Sequence, residues 1–90
     1  MKILKYELDI DDLVLLPLPQ GAQILTVQIQ GLFIYLWAIV DPKAKVCQRR
    51  LLWRGTGHEL GEAERGAYVG TVLARGGILV LHLFDLGEAP

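Results

Sequence analysis

Apolar and polar residues alternate along most of this chain, in short runs that are separated by turn residues. In the first run, residues 3–10, Leu4, Tyr6 and Leu8 fall on one face and charged residues fall on the other. An alternation of period two is typical of a strand with one buried face. Because such runs recur at intervals of roughly 8–12 residues, the pattern predicts an all-β domain, either a compact antiparallel sandwich or a partly closed barrel.

The runs predict about seven strands. They cover residues 3–10, 13–16, 22–30, 32–40, 45–54, 67–74 and 78–86. The third strand places Leu25, Val27 and Ile29 on its inner face. Pro17 and Pro19 follow the second strand. Because proline cannot donate to a ladder, we expect this segment at a sheet edge or outside the sheet.

The fourth and seventh strands are apolar on both faces, unlike a strand that has one solvated face. A chain of 90 residues has too little material to cover two such strands twice. We therefore expect a homo-oligomer. The candidate interface residues are Phe33, Tyr35 and Trp37 on the fourth strand, or Leu79, Leu81 and Leu83 on the seventh. In the alternative, the sheet closes tightly enough for both faces to meet core, under the loop of residues 59–66.

The composition narrows the class of protein. With 52% hydrophobic and 21% charged residues the chain is too apolar for disorder, and its length fits one domain. We assign residues 1–86 to that domain and expect residues 87–90 to fray. No apolar run reaches the ~20 residues of a spanning helix and no signal peptide is recognisable, so we expect a protein without a membrane partner. A formal charge of −1 argues against binding to duplex nucleic acid.

Basic residues are concentrated in the fifth strand and the turn before it, between positions 43 and 54, with no carboxylate among them. Arg49 and Trp53 share a face of that strand, and a guanidinium group with an indole suits a phosphate and a base. The glycine-containing turn that follows can point backbone N–H groups at an anion. The predicted ligand-binding residues are Arg49, Arg50, Trp53, Arg54, Gly55, Thr56, Gly57 and His58.

The same residues also fit a purely structural role. Cations on a solvated edge strand discourage edge-to-edge pairing, and here they would neutralise Glu59, Glu62 and Glu64. In that interpretation Gly55 and Gly57 merely allow a turn, because glycine takes a positive φ at low cost. The sequence leaves both interpretations open.

The sequence offers no recognisable catalytic or metal-binding set. We expect His82, in the seventh strand, to be a hydrogen-bonded core or interface residue. Cys47 has no histidine placed beside it by any sequence feature, so a small buried cysteine is the simpler interpretation. Asp9, Asp11 and Asp12 lack the spacing and turn glycine of a calcium loop. We therefore expect no catalytic residue, no metal and no cofactor.

Several segments occur in an order that resembles a known family. They are Lys5-Tyr6, residues 19–28, residues 36–41, Gly55-Thr56-Gly57-His58, residues 68–71 and residues 80–84. Over nearly its whole length the chain resembles small uncharacterised proteins of bacteriophages and prophages, whose Gly-Thr-Gly-His segment is the most distinctive part. The resemblance implies a viral protein acting in the host bacterial cytoplasm, and it supplies no catalytic residue. The chain departs from it at Tyr35, where the family often has a cysteine.

Phage accessory proteins of this length commonly act stoichiometrically, which favours a non-enzymatic binding protein. We expect a homo-oligomeric counter-defence sponge that sequesters a small anionic, nucleotide-derived signalling molecule of the host. One alternative is an inhibitor that binds a host enzyme or defence protein through the Phe33, Tyr35 and Trp37 face or through a sheet edge. Another is a minor virion or assembly protein.

Overall fold

The computed structural model describes residues 1–90, the side chain of Ala63 excepted. The chain forms an all-β sandwich of two antiparallel sheets, which do not close into a barrel. The strands are β1 (Lys2–Leu8), β2 (Leu13–Pro19), β3 (Gln23–Gln30), β4 (Phe33–Val40), β5 (Val46–Gly55), β6 (Ala67–Ala74) and β7 (Leu79–Glu88). Sheet A has the order β1-β4-β3 and sheet B has the order β2-β5-β7-β6. The predicted fold class is confirmed.

Sheet A contributes its inner face to the core mainly through its central strand. Ile34, Leu36, Ala38 and Val40 of β4 are all buried, and the residues between them lie on the outer face. This alternation confirms the predicted division of the fourth strand into two apolar faces. One of these faces is used inside the subunit, so the other is left for the outside of the molecule.

Sheet B covers the other side of the core with alternate residues of β5 and β7. Leu51, Leu81 and Leu83 are almost fully buried there. The prediction that Leu79, Leu81 and Leu83 form a subunit interface is therefore wrong. Leu81 and Leu83 are 6% and 0% exposed because they pack against sheet A within the same chain, and Leu79 lies against the same cluster.

The third strand departs from the predicted pattern at a β-bulge. The register shifts between Ile24 and Thr26, so that Leu25 is the extra residue of the strand. A bulge interrupts the alternation of faces, because two residues then oppose one on the neighbouring strand. As a result Leu25 is 41% exposed, and Ile29, near the end of the strand, is 38% exposed, whereas Val27 is buried as predicted.

Two strands of sheet B, β2 and β7, extend further along the chain than the sequence predicts. β2 continues to Pro19 and is an edge strand, which confirms the predicted position of the prolines. Most of the segment 87–90 is held by β5. Gly87 pairs with Arg50, and Glu88 pairs with Arg49. The next residue, Ala89, donates its backbone N–H to the Gln48 carbonyl over 2.8 Å. The predicted frayed tail is therefore wrong for most of its length, because β5 supplies partners to it.

The connections are short except for residues 56–66 between β5 and β6, which contain a 3-10 turn at Glu62–Glu64. Gly31, with a φ of +64°, closes the predicted tight hairpin between β3 and β4. The helical segments found in the described residues are 3-10 turns of three residues, and neither is long enough to cross a membrane.

Candidate functional site

Arg49, the first of the predicted ligand-binding residues, is buried between the sheets with 6% of its surface exposed. Its Nη1 donates to Asp85 Oδ2 over 2.9 Å, and its Nη2 donates to the Ala22 carbonyl. The guanidinium group therefore joins β5 to β7 and to the turn before β3. This arrangement makes Arg49 a structural cation, enclosed by groups of its own chain.

Trp53 is also buried, and its contacts tie β5 to the connection between β1 and β2. The indole N–H donates to the Asp9 carbonyl over 3.0 Å, and the backbone N–H donates to the Asp12 carbonyl over 2.9 Å. Trp53 lies four residues from Arg49, which corresponds to ~13 Å along a strand. The two side chains thus share a face, as predicted, but they are too far apart to form one stacking platform.

The other two arginines lie on the outer face of sheet B and are held by groups of the chain itself. Arg50 donates to the Leu86 carbonyl over 3.0 Å. Arg54 pairs with Glu64 and lies 4.0 Å from a carboxylate oxygen of Asp12. The Glu64 pair supports the structural interpretation of the basic strand, in which its cations neutralise the acidic loop that follows.

The predicted anion-binding turn, Gly55 to His58, is a tight turn closed by its own hydrogen bond. The His58 N–H donates to the Gly55 carbonyl over 3.1 Å, and Gly57 has a φ of +86°. The His58 ring lies over Gly55, where an added Cβ would come within 2.9 Å of a ring carbon. Gly55 is thus required for this ring contact, whereas Gly57 is required for the turn conformation.

Four of the predicted residues line one open cleft of about 320 Å³ at an end of the sandwich. They are Trp53, Arg54, Gly55 and His58, and the cleft is completed by Ile10, Asp11, Asp12, Glu59 and Leu81. Three carboxylates therefore face one arginine that is already paired. By Coulomb's law this charge balance favours a cationic or neutral polar group over an anion.

His82 is the centre of a hydroxyl network on the outer face of sheet B. Its Nε2 lies 2.8 Å from the Thr56 hydroxyl, and its Nδ1 lies 2.9 Å from the Thr71 hydroxyl, which also contacts the Tyr68 hydroxyl. Thr56 is the only predicted ligand-binding residue whose side chain joins this network in the described part of the chain. His82 is hydrogen-bonded as expected, but it lies on the outer face of sheet B and not in the core, which is the part of the prediction that is wrong. A Ser-His-Asp type of relay also requires a carboxylate that orients the ring, and none bonds to His82 in the described residues.

Cys47 and Glu88 form a small polar cluster at the opposite end of β5. The thiol donates to Glu88 Oε2 over 3.2 Å, and the Gly21 N–H donates to the same oxygen over 2.7 Å. The hydrogen bond to Glu88 and burial raise the pKa of Cys47, because both disfavour the thiolate. The Gly21 N–H and then the Cys47 thiol lower the pKa of Glu88, because they stabilise the carboxylate. A protonated thiol is a weak nucleophile, so this cluster is suited to closing the fold rather than to covalent chemistry.

The outer face of sheet A carries a column of apolar side chains on β4, with neighbours on β1 and β3. The apolar residues of this face are Ile3, Leu25, Phe33, Tyr35, Trp37 and Ile39, and its charged residues are Lys5 and Glu7 of β1. We call this set the aromatic face. Ile3 is 61% exposed and Phe33 is 52% exposed, while Tyr35 and Trp37 are partly buried and meet edge to face. The prediction that Phe33, Tyr35 and Trp37 lie together on one face is confirmed.

Comparison with known families gives one result. The model of DUF7352, a domain of unknown function, matches residues 1–90. The chain belongs to the DUF7352 family. Among curated proteins and among solved structures, nothing matches this chain.

In this DUF7352 chain, the sequence pattern assigned no role to Asp85 and Glu88 and did not predict that Asp11, Asp12 and Glu59 line a cleft. Asp11, Asp12 and Glu59 reach the cleft from two connections, and Asp85 and Glu88 reach Arg49 and Cys47 from the last strand. One signal was present: Arg49 shares its strand face with Leu51 and Trp53, and a charge on an apolar face requires a buried partner. The described residues contain no cluster of histidine, cysteine and carboxylate side chains that would hold a metal ion.

Proposed function

We propose that this protein is a non-enzymatic binding protein that acts as a homo-oligomer, and that its subunits associate through the aromatic face. The observation that carries the proposal is a contiguous apolar column on β4, in which Phe33 is exposed and Tyr35, Trp37 and Ile39 are partly exposed, flanked by the exposed Ile3 and Leu25. Large exposed apolar patches with a polar rim are typical of interaction surfaces, and aromatic residues are enriched at the centres of interfaces.

The shape of the molecule supports the same conclusion. The Cα positions span 39 × 32 × 16 Å, so the sandwich is thin and its outer faces are large relative to its core. A domain of this size buries only ~60% of its unfolded surface, which leaves little hydrophobic stabilisation in reserve. Covering the aromatic face with a second copy would bury further apolar surface. Each Å² of apolar surface removed from water stabilises the assembly by ~25 cal/mol.

The test compares two substitutions that introduce the same charge at equally exposed positions on opposite sheets. Phe33 lies on the aromatic face and is 52% exposed, whereas Leu73 lies on the outer face of sheet B and is 60% exposed. We expect Phe33→Glu to convert the oligomer into a monomer, and we expect Leu73→Glu to leave it intact. Size-exclusion chromatography with light scattering measures both.

Two results would contradict the proposal. One is a monomeric wild-type protein at ~100 μM, which would leave the aromatic face for a different partner, such as a host protein that it inhibits. The other is equal loss of assembly in both variants, because this would place the interface elsewhere. Circular dichroism of each variant checks that the fold is retained.

A second candidate function is the binding of a small nucleotide-derived ligand in the cleft, in an infected bacterium. Its support is that Trp53, Arg54 and His58 line one cleft, as a shared binding site requires. The surrounding carboxylates oppose an anion, so the ligand would have to displace Glu64 from Arg54. Isothermal titration calorimetry against cyclic and linear nucleotides tests this candidate. Binding that Arg54→Ala abolishes and the exposed control Arg65→Ala preserves would support it, and no binding at tens of micromolar would exclude it.

A further inference from the structure

A cavity of about 380 Å³ opens at the end of the sandwich where a turn of each sheet comes together. Gly31 and Leu32 line it from the β3–β4 turn of sheet A, and Arg75 and Gly76 line it from the β6–β7 turn of sheet B. Ile10, in the connection between β1 and β2, also lines it. Small-molecule sites have volumes of ~300–1,000 Å³, so this cavity is large enough for a small ligand.

Most of the residues that line the cavity are aliphatic. Ile34 and Ala74 belong to the buried core, whereas Ile29 is 38% exposed and Leu32 is 94% exposed. A Cβ added at Gly31 would meet no atom within 4 Å, so the space beside this turn is open. Apolar side chains that remain in contact with water favour an occupant with an apolar body.

Arg75 is the one charged residue among those that line the cavity. Its guanidinium group takes part in none of the ion pairs found in the described residues. Asp11 and Asp12, which follow Ile10 in the chain, line the neighbouring acidic cleft. The cavity therefore has a positive charge without a carboxylate beside it, and it favours an anionic head group.

The backbone conformation of Arg75 supports a role for its side chain. Arg75 has a φ of +52°, and it is the only non-glycine residue with a positive φ in the described chain. Gly76 and Gly77 follow it with φ values of +67° and +91°. A left-handed conformation has a cost for arginine that glycine would avoid. A bound anion would supply the ionic partner that Arg75 lacks within the subunit.

We propose that this cavity binds a small amphipathic anion, an aliphatic carboxylate whose chain lies against Ile29 and Leu32 and whose head group pairs with Arg75. The cavity shares no residue with the aromatic face, and it shares only Ile10 with the acidic cleft. The inference therefore goes beyond the proposed function, and binding of this ligand does not require an oligomer.

A series of carboxylates tests the class of ligand by isothermal titration calorimetry. Each buried methylene group strengthens binding roughly fourfold, so we expect the dissociation constant to fall about tenfold from butanoate to hexanoate and again to octanoate. Octanamide has the same chain with a neutral head group, and we expect it to bind at least about fivefold more weakly than octanoate. Equal affinity for butanoate and octanoate, or for octanoate and octanamide, would contradict the proposal.

Arg75→Gly tests the head-group contact without straining the turn. Glycine adopts the same φ at low cost, so we expect the variant to fold, which thermal unfolding by circular dichroism measures. We expect its dissociation constant for octanoate to rise at least about tenfold, and its preference for octanoate over octanamide to disappear. Arg65→Ala removes an equal charge from an exposed residue between β5 and β6, and this control should bind octanoate as the wild-type protein does. Unchanged binding in Arg75→Gly would overturn the role given to Arg75.

The amide NMR signals of Gly31 and Gly76 locate the ligand. We expect octanoate to shift both signals and to leave those of Trp37 and Ile39 unchanged. Shifts centred on Trp37 and Ile39 would place the probe on the aromatic face and overturn the proposal. Absence of saturable binding up to ~5 mM octanoate would also overturn it, even if the protein bound anionic vesicles, because the occupant would then be a membrane surface. A monomeric protein that binds octanoate would contradict the proposed function and leave this inference intact.

Discussion

Arg49 illustrates how a single residue separates the structural interpretation of the basic strand from the functional one. Its guanidinium group bonds Asp85 and the Ala22 carbonyl, and the side chains of the ion pair are 8% and 18% exposed. A charge in this position is costly unless it is paired. We therefore attribute to Arg49 the joining of β5 to β7 and to the turn before β3, rather than the recognition of a ligand.

Replacing Arg49 by methionine keeps much of its apolar volume but leaves the Asp85 carboxylate without a partner. We expect a loss of about 3 kcal/mol in the free energy of unfolding, measured by urea denaturation. The double variant Arg49→Met/Asp85→Asn should lose less than the sum of the single variants, because neither charge is then left unpaired. The exposed pair of Arg65 and Glu62 is the control, and Arg65→Ala should cost less than about 0.5 kcal/mol. Unchanged stability in Arg49→Met would contradict this role.

The burial of Arg49 was not predictable in detail from the sequence. Its partners lie 36 and 27 residues away along the chain, and only the folded sheets bring them together. For the same reason the shared cleft was not predicted, since Asp12 and Glu59 belong to different connections. A site whose residues come from one segment is visible in the sequence, whereas one assembled by tertiary structure is not.

Individual strands were much more predictable, because alternation depends on local residue order. The sixth strand was predicted at residues 67–74, the same bounds that the structure gives for β6. The departures occur where tertiary pairing overrides the pattern: the bulge at Leu25 in β3, and the extension of β7 through Gly87 and Glu88. Glycine and a charged residue carry a weak strand signal, yet β5 supplies them with hydrogen-bond partners.

The end of β7 should respond to pH through Glu88. The Gly21 N–H and the Cys47 thiol hold the pKa of this carboxyl below its ordinary value of 4.5. A lowered pKa in the folded state stabilises the fold above pH ~4.5, and this contribution is lost as the pH falls through the folded-state value. We expect hydrogen exchange at the Gly21 amide to accelerate in that range, after correction for intrinsic rates. Glu88→Gln should remove this pH dependence, and retention of it would contradict the role given to Glu88.

The contact between Glu88 and Cys47 also predicts how fast the Cys47 thiol reacts. Glu88 is the main reason that the pKa of Cys47 is raised, through its hydrogen bond and its charge. We expect Glu88→Gln to increase the rate of Cys47 alkylation by iodoacetamide at pH 8, because a larger fraction of the thiol becomes thiolate. Glu59→Gln, an exposed change at the other end of β5, should leave the rate unchanged. An equal rate in the wild-type and Glu88→Gln proteins would show that access, rather than the carboxylate, limits the reaction.

In the molecule as a whole, the sequence predicts more apolar strand surface than one subunit can bury, and the structure shows which strand faces are buried and which are not. The face with Leu81 and Leu83 is used within the subunit, so one of the two predicted interfaces is removed. The aromatic face on sheet A stays partly exposed, with Phe33 and Ile3 on its surface. Which strand face turns inward depends on how two sheets pack, and periodicity within a single strand does not contain that information.

Sedimentation equilibrium of the unmodified chain shows whether a second copy covers the aromatic face. If it does, the apparent mass rises with concentration from the 10.0 kDa of one chain to twice that value, with a midpoint in the micromolar range. A mass that stays at 10.0 kDa up to ~100 μM would show that the aromatic face is not covered by a second copy.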